Sequence, residues 1–302
     1  MRVGGWGHLQ QNKMATIYIE SFRGGGLCGE ECKLVSKELA SRSPPWTVVG
    51  VPREEGRLPA ALSREGSVVV GSPEFVRRAL TQLQLPIPAP PDYPACLSQH
   101  LHRTVARSTL GEVKKQFQAN PSLRLFVKPA QDAKAFNGEL LGGAEEADMW
   151  LGVWIGEHGA SYPVQTSTAL EMLAEYRVYV LSGVVKGVAR YGRSPPEGCP
   201  PLDLALVQAA AQTLHQSSEA LAGCAMDFAV CRAADGSHFC ALVEVNDGVF
   251  TGFYPGVPVA DFTDMVIARW RQLVDPGAVP GEQAKGEEAQ VAGGGGSSTR
   301  GV

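Results

Sequence analysis

Short apolar runs alternate with mixed apolar and polar stretches in the first third of the chain. β-Branched and aromatic residues fill 15–20 ("ATIYIE"), 46–51 ("WTVVGV") and 67–71 ("SVVVG"), and we expect three buried strands there. A Gly-rich turn leads from the first run into a predicted helix, and a second helix is predicted to begin at Pro73. Alternation of strands and helices is typical of an α/β fold, so residues 14–95 are predicted to form an α/β domain.

A proline-rich stretch follows this predicted domain. Five of the nine residues in 86–94 ("PIPAPPDYP") are proline, which stiffens a chain into an extended connector. We therefore expect a domain boundary here, with a second domain over residues 96–275.

The second region combines predicted strands with strongly apolar helices. Residues from about 96 to 118 predict a pair of helices, and 131–143 predict a loop. The predicted strands lie in "LRLFVKPA", "YPVQTS", "AEYRVYVLSGVVKGVARY" and "CAMDFAVCRAADGSHFCALVEVND", and further helices in "DLALVQAAAQTLHQ" and "ADFTDMVIARWRQLV". Short turns between consecutive strands favour antiparallel pairing, so this domain is predicted to be α+β.

The two ends of the chain differ from the rest. Residues 1–13 are polar and Gly-rich, which predicts a flexible N-terminal segment, and either Met1 or Met14 is compatible with the start of translation. Residues 276–302 are rich in glycine, charge and small side chains. Such a segment buries too little apolar area to offset the entropy of ordering, so a disordered tail is predicted.

Composition and charge limit the kinds of partner and the cellular compartment that we expect for the protein. The chain has 302 residues, 44% of them hydrophobic and 19% charged, as is ordinary for a globular protein. A net charge of -4 gives no overall attraction to nucleic acid or anionic membranes. No apolar run approaches the roughly 18 to 20 residues of a membrane helix, and no secretory pattern is present, so a cytoplasmic protein is expected. The seven cysteines favour buried free thiols, Cys28 and Cys32 included.

The segment "ALVEVND" near the end of the second region carries the first candidate site. Side chains alternate across a strand, so Glu244 and Asn246 project from one face. Asp227 lies in the preceding strand "AMDFAV", and antiparallel pairing through "RAADGSHF" would bring it opposite them. Three oxygen-bearing side chains would then converge, which suits Mg²⁺, although a solvated polar strand face is the alternative.

A second candidate cluster is cationic and consists of Lys128, Lys134, Arg177, Lys186 and Arg190. Lys128 and Arg177 lie inside apolar strand runs, where an unpaired cation costs several kcal/mol. They therefore suggest either a bound polyphosphate or salt bridges. Glu175, two residues before Arg177 and on the same strand face, is the candidate partner for a salt bridge.

Two Gly-rich segments are candidates for phosphate loops. The loop 131–143 contains Gly138, Gly142 and Gly143 but lacks the "GK[ST]" of a Walker A sequence. The segment "RGGGLCG" after the first strand lacks the full dinucleotide-binding spacing and is interpreted as a tight turn.

Taken together, "VKPA", "KAFNG", "EYRVYV" and the trio of Asp227, Glu244 and Asn246 resemble the ATP-grasp superfamily in residue type and order. The resemblance covers about residues 96–272 and is greatest to the compact clade described by one arginine and two lysines. It implies an ATP-grasp fold of two α+β subdomains that clamp ATP between antiparallel sheets, preceded by a Rossmann-like α/β domain over 14–95.

The resemblance also implies roles for individual residues. Lys128 and Lys134 would contact the ATP phosphates, with the loop from Phe136 to Gly138 folded over them, and Glu175 would belong to the nucleotide site. The strand "YPVQTS" would hold the adenine through the backbone of Gln165 to Ser167.

At the reacting end, the resemblance implies that Arg177 faces the transferred phosphoryl group, with Lys186 and Arg190 as further catalytic cations. Asp227, Glu244 and Asn246 would bind Mg²⁺.

The expected activity is ATP- and Mg²⁺-dependent ligation, in which a carboxylate is activated as an acyl phosphate and attacked by an amine. The substrates would be small-molecule or peptide carboxylates and amines. Such chemistry depends on positioning and electrostatic stabilisation and needs no protein nucleophile. Two alternatives use the same residues, namely a small-molecule kinase and a nucleotide-binding regulatory module without ligation.

Overall fold

A computed structural model describes residues 15–131, 135–192 and 194–275, and the N-terminal part is a parallel three-stranded sheet with two helices. The strands are β1 (Thr16–Ser21), β2 (Thr47–Pro52) and β3 (Ser67–Val70), and the helices are α1 (Gly29–Ser41) and α2 (Pro73–Gln82). The strand order is β2-β1-β3, so the chain crosses from one edge of the sheet to the other. The three predicted strands and both helices are confirmed.

Local sequence explains where α2 begins. Ser72 caps the helix, because its Oγ accepts a hydrogen bond from the backbone N–H of Phe75. Pro73 occupies the first turn, where its missing N–H costs nothing. The buried face of the helix packs Phe75, Val76, Ala79 and Leu80 against the sheet.

The second sheet is antiparallel with the order β4-β7-β5-β6. Its strands are β4 (Val105–Thr109), β5 (Arg124–Pro129), β6 (Glu139–Gly142) and β7 (Pro163–Thr168), and it is covered by α3 (Leu110–Ala119) and α4 (Ala144–His158). α3 begins with a capping box between Thr109 and Glu112. One face of the sheet packs against these helices, which leaves the other face free to meet the rest of the protein.

The third sheet is also antiparallel, with the order β11-β10-β8-β9. Its strands are β8 (Glu171–Leu181), β9 (Val184–Tyr191), β10 (Gly223–Arg232) and β11 (His238–Asp247). α5 (Leu204–His215) packs on one face, and α6 (Val259–Val274) packs on the other.

Two predictions for the second region were wrong, and one helix was not predicted. The expected helix pair over 96–118 is a short 3-10 helix (Ala95–His100), then strand β4, then α3. β4 is half exposed and rich in polar residues, so its extended form depends on pairing with β7 rather than on its own pattern. The expected loop 131–143 contains β6, and α4, whose sequence is apolar on most sides, was not predicted at all. Residues 1–13 and 276–302 lie outside the described residues.

A single hydrophobic core crosses the predicted domain boundary. Residues of β1, β3, α1 and α2 pack with residues of α6 and with Tyr179 of β8. The fully buried Trp270 of α6 donates a hydrogen bond from its indole N–H to the carbonyl oxygen of Ser67, 2.8 Å away. The parallel sheet is therefore held rigidly against the sheet that carries "ALVEVND". Among the described helices, none is long and apolar enough to cross a bilayer.

A buried ion pair anchors α6 to the end of β11. Arg269 is 7% exposed and Asp247 is 5% exposed. Arg269 Nη2 lies 2.6 Å from Asp247 Oδ2, and Arg269 Nε donates to both carboxylate oxygens. Asp247 also accepts a hydrogen bond from the backbone N–H of Val249. The pair thus fixes both the helix and the start of the loop that follows β11.

We expect Arg269→Met to lower the free energy of unfolding by about 3–5 kcal/mol, because the Asp247 carboxylate is left buried without its cation. Urea denaturation followed by circular dichroism measures this loss. Arg232→Met is the matched control, since its pair with Glu171 is exposed and should contribute less than about 1 kcal/mol. Equal losses in the two variants would contradict this account of α6.

Candidate active site

The site begins with four side chains on one face of the third sheet. Asp227 pairs in register with Glu244 on one side and with Arg177 on the other, and Ala225 pairs with Asn246. Paired residues in a sheet project from the same face. The predicted juxtaposition of Asp227 with Glu244 and Asn246 is therefore confirmed, and Arg177 joins them from β8.

Asp227 is the most enclosed member of this group. Its carboxylate is fully buried and accepts two hydrogen bonds from Arg177, Nε to Oδ1 at 2.9 Å and Nη2 to Oδ2 at 2.7 Å. Asn246 Nδ2 donates to Oδ2 at 3.0 Å, and Tyr191 Oη lies 3.1 Å from the same oxygen. A buried carboxylate requires such partners. The expected alternative partner of Arg177, Glu175, instead accepts a hydrogen bond from Tyr191 at 2.7 Å.

The protonation of the three carboxyls follows from their surroundings. Burial raises the pKa of Asp227, while Arg177 and Tyr191 act in the opposite direction. Burial likewise raises the pKa of Glu175 against the hydrogen bond from Tyr191. Burial opposes ionisation of Glu244 too, but there the Lys128 ammonium outweighs it and holds the pKa below its ordinary value. Glu244 is thus the carboxylate most firmly kept charged.

Lys128 of β5 reaches this group from the facing sheet. Its Nζ lies 2.8 Å from Glu244 Oε2 and 2.9 Å from Asp92 Oδ1. The ammonium also lies 4.7 Å from the centre of the Tyr93 ring. Burial lowers and the nearby carboxylates raise the pKa of Lys128, and the carboxylates prevail, so the side chain stays a cation. A cation of one sheet and a carboxylate of the other therefore meet between the two sheets, beside Asp92 of the connector.

Asp92 was not predicted as a site residue, although it lies at the centre of this network. Its Oδ2 accepts a hydrogen bond from Gln165 Nε2 at 3.1 Å, and its carbonyl oxygen accepts one from the Val245 N–H at 2.8 Å. The proline-rich connector thus touches both sheets. A signal was present in the sequence, because Asp92 is the one charged residue within "PIPAPPDYP". Only its place in the fold gives that charge a partner.

Two tyrosines that were also missed lie against Arg177. The rings of Tyr191 and Tyr254 stack at 5.4 Å, and the guanidinium carbon lies 5.4 Å and 5.3 Å from their centres. Tyr191 ends the run "VVKGVARY", so alternation along β9 could have indicated it. Tyr254 lies in a loop without periodicity, and no local pattern indicates it.

The expected adenine contact through the backbone of Gln165 to Ser167 was wrong. These residues form the interior strand β7, paired with β4 on one side and β5 on the other, so their backbone groups are used within the sheet. The side chain of Gln165 remains available. Its Oε1 is buried and has no hydrogen-bond partner among the described residues. An N–H donor of a bound molecule would satisfy it.

The expected contact of Phe136 with phosphates is contradicted by its place in the core. Phe136 is 4% exposed and packs with Trp150 and Trp154 of α4, on the helix side of the second sheet. Gly138 does lie at the site. A Cβ on this glycine would stand 2.5 Å from the Phe126 ring and 3.1 Å from Lys128 Cβ, so only glycine allows this close approach. Lys134 lies outside the described residues.

The two further cations predicted to be catalytic lie apart from Asp227. Lys186 Nζ is 3.5 Å from Asp261 Oδ1 at the start of α6. Arg190 is exposed and pairs in register with Tyr176. Asp227 pairs with Arg177, which in turn pairs with Ala189, so these three residues share one face of the sheet. Alternation therefore places Arg190 on the opposite face of the sheet, which contradicts its predicted role.

The protein supplies only some of the ligands that a hard divalent cation requires. Within the described residues, no group of three His, Cys, Asp or Glu side chains could hold a metal alone. Two carboxylates, Asp227 and Glu244, and the Asn246 amide oxygen would have to be completed by phosphate oxygens. Magnesium commonly binds in this way, through one or two carboxylates and the phosphates of a substrate.

Comparisons with known proteins agree with this fold. Solved structures with a similar fold include the RimK domain protein ATP-grasp from Sphaerobacter thermophilus DSM 20745 (TM-score 0.53, 16% identity, covering 83% of this chain and 98% of that one). D-cycloserine synthetase DcsG matches with a TM-score of 0.54 and 14% identity over 84% of this chain and 99% of that one.

D-alanyl-alanine synthetase A from Vibrio cholerae O1 biovar eltor str. N16961 matches with a TM-score of 0.52 and 13% identity, covering 86% of this chain and 98% of that one. No match was found among the curated proteins. At these identities the structural likenesses establish the fold. The family described as ATP-grasp domain, R2K clade family 2, matches residues 100–265, which is more than half of the chain. The chain therefore belongs to the R2K clade of ATP-grasp proteins.

Proposed function

We propose that this protein is an ATP- and Mg²⁺-dependent ligase that joins a carboxylate to an amine. The observation that carries the proposal is the meeting of Lys128 with Glu244 between two antiparallel sheets, beside the buried pair of Arg177 and Asp227. The cations there could bind phosphate, and the carboxylates could bind a metal ion. An intracellular location, where ATP and magnesium are supplied, accompanies this proposal.

The reaction consists of two displacements. An oxygen of the substrate carboxylate bonds to the terminal phosphorus of ATP while the bond to ADP breaks. The amine nitrogen then bonds to the acyl carbon, the carbon–oxygen bond to phosphate breaks, and one amine proton is released. Magnesium, when bound, neutralises phosphate charge in both steps.

The residues of this chain would bind and orient. Lys128 exchanges its carboxylate partners for phosphate oxygens, and Arg177, whose pKa is raised chiefly by Asp227 against the effect of burial, stays charged beside the phosphoryl group. The Gln165 amide oxygen accepts an N–H of the nucleotide. These groups are fixed by the sheets before the substrates arrive, which is the condition for electrostatic stabilisation of a transition state.

A specific comparison favours ligation over phosphorylation of a hydroxyl. Two similar structures carry the names of synthetases, D-cycloserine synthetase and D-alanyl-alanine synthetase. Incubation with Mg²⁺, ATP and pools of amino acids or short peptides, followed by assay of ADP, phosphate and conjugates, tests the proposal. Free phosphate with a conjugate supports it. A stable phosphorylated product would establish a kinase, and no turnover with tight nucleotide binding would establish a binding module.

We expect Glu244→Gln to lower ATP turnover by about 100-fold or more, since one charged contact to the metal and phosphate end is lost. The assay is ADP release at saturating Mg²⁺. Glu145→Gln, an exposed change in the first turn of α4, is the control and should keep full activity. Unchanged turnover in Glu244→Gln would remove the basis for the metal assignment.

We expect Asp92→Asn to tighten binding of ATP in the absence of magnesium, because the substituted side chain no longer competes with phosphate for Lys128. A gain of about 1 kcal/mol, roughly fivefold in Kd, is the size expected for one partly exposed ion pair. Isothermal titration calorimetry measures it, with Asp148→Asn as a control at the exposed pair with Lys114. Weaker binding would show instead that Asp92 positions Lys128 for phosphate.

A further inference from the structure

The side of α4 that faces solvent carries large apolar side chains. Met149 is 70% exposed and Val153 is 59% exposed, and they are the two most exposed large hydrophobic residues in the described part of the chain. They lie about one turn apart on the same helix. Single apolar side chains scattered over a surface are normal, whereas adjacent ones mark contact surfaces.

Two glycines extend this apolar patch. Gly152 and Gly156 are exposed, and a Cβ on either would meet no atom within 4 Å among the residues that the structure describes. Neither has a positive φ, so alanine would fit at both positions and would favour the helix more strongly. Met149, Gly152, Val153 and Gly156 follow the spacing i, i+3, i+4, i+7, which places all four on one side of the helix. We call these four residues the α4 outer face.

The opposite side of α4 already anchors the helix. Leu151 is fully buried beneath it. The Trp150 ring meets the Phe136 ring edge-on at 5.2 Å, and the Trp154 ring stacks on Phe136 at 4.9 Å. The fold therefore needs neither the apolar side chains nor the glycines of the outer face. A second helix that approaches closely over the glycines would explain both, because the distance between packed helices depends on the side chains at the contact.

Carboxylates surround the α4 outer face. The helix contains four exposed acidic residues, Glu145, Glu146, Asp148 and Glu157, and it has no lysine or arginine. Among the described residues, only Asp148 of these four pairs with a lysine, Lys114, at 2.8 Å. Lysine or arginine beside the apolar seam of a partner would complement this charge. A second copy of α4 would instead bring carboxylates against carboxylates.

The α4 outer face is short and lies away from the proposed active site. Met149 to Gly156 covers two turns, a rise of about 10 Å, which suits one crossing helix and a transient contact rather than an obligate interface. α4 shares its core with Leu125 and Val127 of β5, whereas Lys128 of the same strand contacts the third sheet. A partner on α4 therefore leaves the space between the two antiparallel sheets open.

We propose that the α4 outer face binds a basic amphipathic helix of a partner protein. The apolar seam of that helix packs over Gly152 and Gly156 and against Met149 and Val153. Its lysine or arginine side chains meet the carboxylates that flank the seam. The inference is independent of the proposed ligase function, because neither nucleotide nor substrate takes part in this contact.

Binding of synthetic peptides to the full-length protein tests the inference. The probe is a fluorescein-labelled peptide of about five helical turns, in which alanine and leucine form one seam and lysine flanks it. One comparison peptide has the same composition in scrambled order, and the other has glutamate in place of lysine. Measured by fluorescence anisotropy, the patterned lysine peptide should bind at least about tenfold more tightly than either comparison peptide.

Variants of the α4 outer face locate the contact. Met149→Gln and Val153→Gln should each weaken binding of the patterned lysine peptide by about tenfold, as expected for one apolar side chain that is buried in the complex. Gly152→Ala and Gly156→Ala should each raise the melting temperature by about 2–4 °C and yet weaken binding, a combination that a purely structural role would not produce. Leu204→Gln changes a 56% exposed residue of α5 and should leave binding unchanged.

Three results would overturn the inference. The first is equal binding of all three peptides, and the second is tight binding that both glutamine variants of α4 retain. Sedimentation equilibrium tests the second copy as the occupant, and we expect a monomer. A dimer that Val153→Gln dissociates would assign this surface to self-association instead. Circular dichroism shows whether each variant is folded, and the two alanine variants, which favour the helix, keep the test decisive if a glutamine variant unfolds.

Discussion

Burial of the Asp227 carboxylate in the middle strand of a sheet is the constraint on which the site depends. A charge removed from water must meet donors, and Asp227 meets them from both adjacent strands, Arg177 of β8 and Asn246 of β11, with the Tyr191 hydroxyl of β9 also close to it. These bonds orient each partner. Arg177 lies beside the stacked rings of Tyr191 and Tyr254, and Asn246 is turned toward Glu244. Glu244, at the open side of this arrangement, is left to meet the facing sheet.

Lys128 of the facing sheet contacts Glu244, and it also contacts Asp92 of the proline-rich connector. Asp92 accepts from Lys128 and Gln165 of the second sheet, and its carbonyl accepts from Val245 of the third. Anions that now surround Lys128 are the groups that a polyphosphate would displace. A nucleotide bound as proposed would therefore break the contact between Lys128 and Asp92 of the connector.

The shared core gives the junction of the parallel sheet with the third sheet its shape. Tyr179, on the same sheet face as Arg177, packs against Phe262 of α6, and α6 in turn packs on the N-terminal sheet. The loop from Gly248 to Tyr254 is held in this corner by Asp247 at one end and by Tyr179 at the other. The loop after β11 thus contacts Arg177 through Tyr254 and packs on the core that includes the parallel sheet.

Much of the architecture could be predicted from local pattern, because buried strands and amphipathic helices follow from residue type. The strands around "ATIYIE" and "ALVEVND" and the pairing of Asp227 with Glu244 belong to this class. β4 could not be predicted in the same way, since it is extended only because β7 lies beside it. Phe136 was misassigned for a related reason, as an aromatic residue near glycines fits either a loop or a core until the position of α4 is known.

The sequence by itself determined which charged and polar side chains are candidates for the site. Two rules were enough: side chains alternate along strands, and lysine and arginine are rare in apolar runs. Lys128, Arg177, Asp227, Glu244 and Asn246 all emerged from those two rules. Only the tertiary structure decided how they are paired: Arg177 with Asp227 instead of Glu175, and Lys128 with both Glu244 and Asp92. Pairing depends on distances between segments far apart in the chain, and periodicity within one segment contains no information about them.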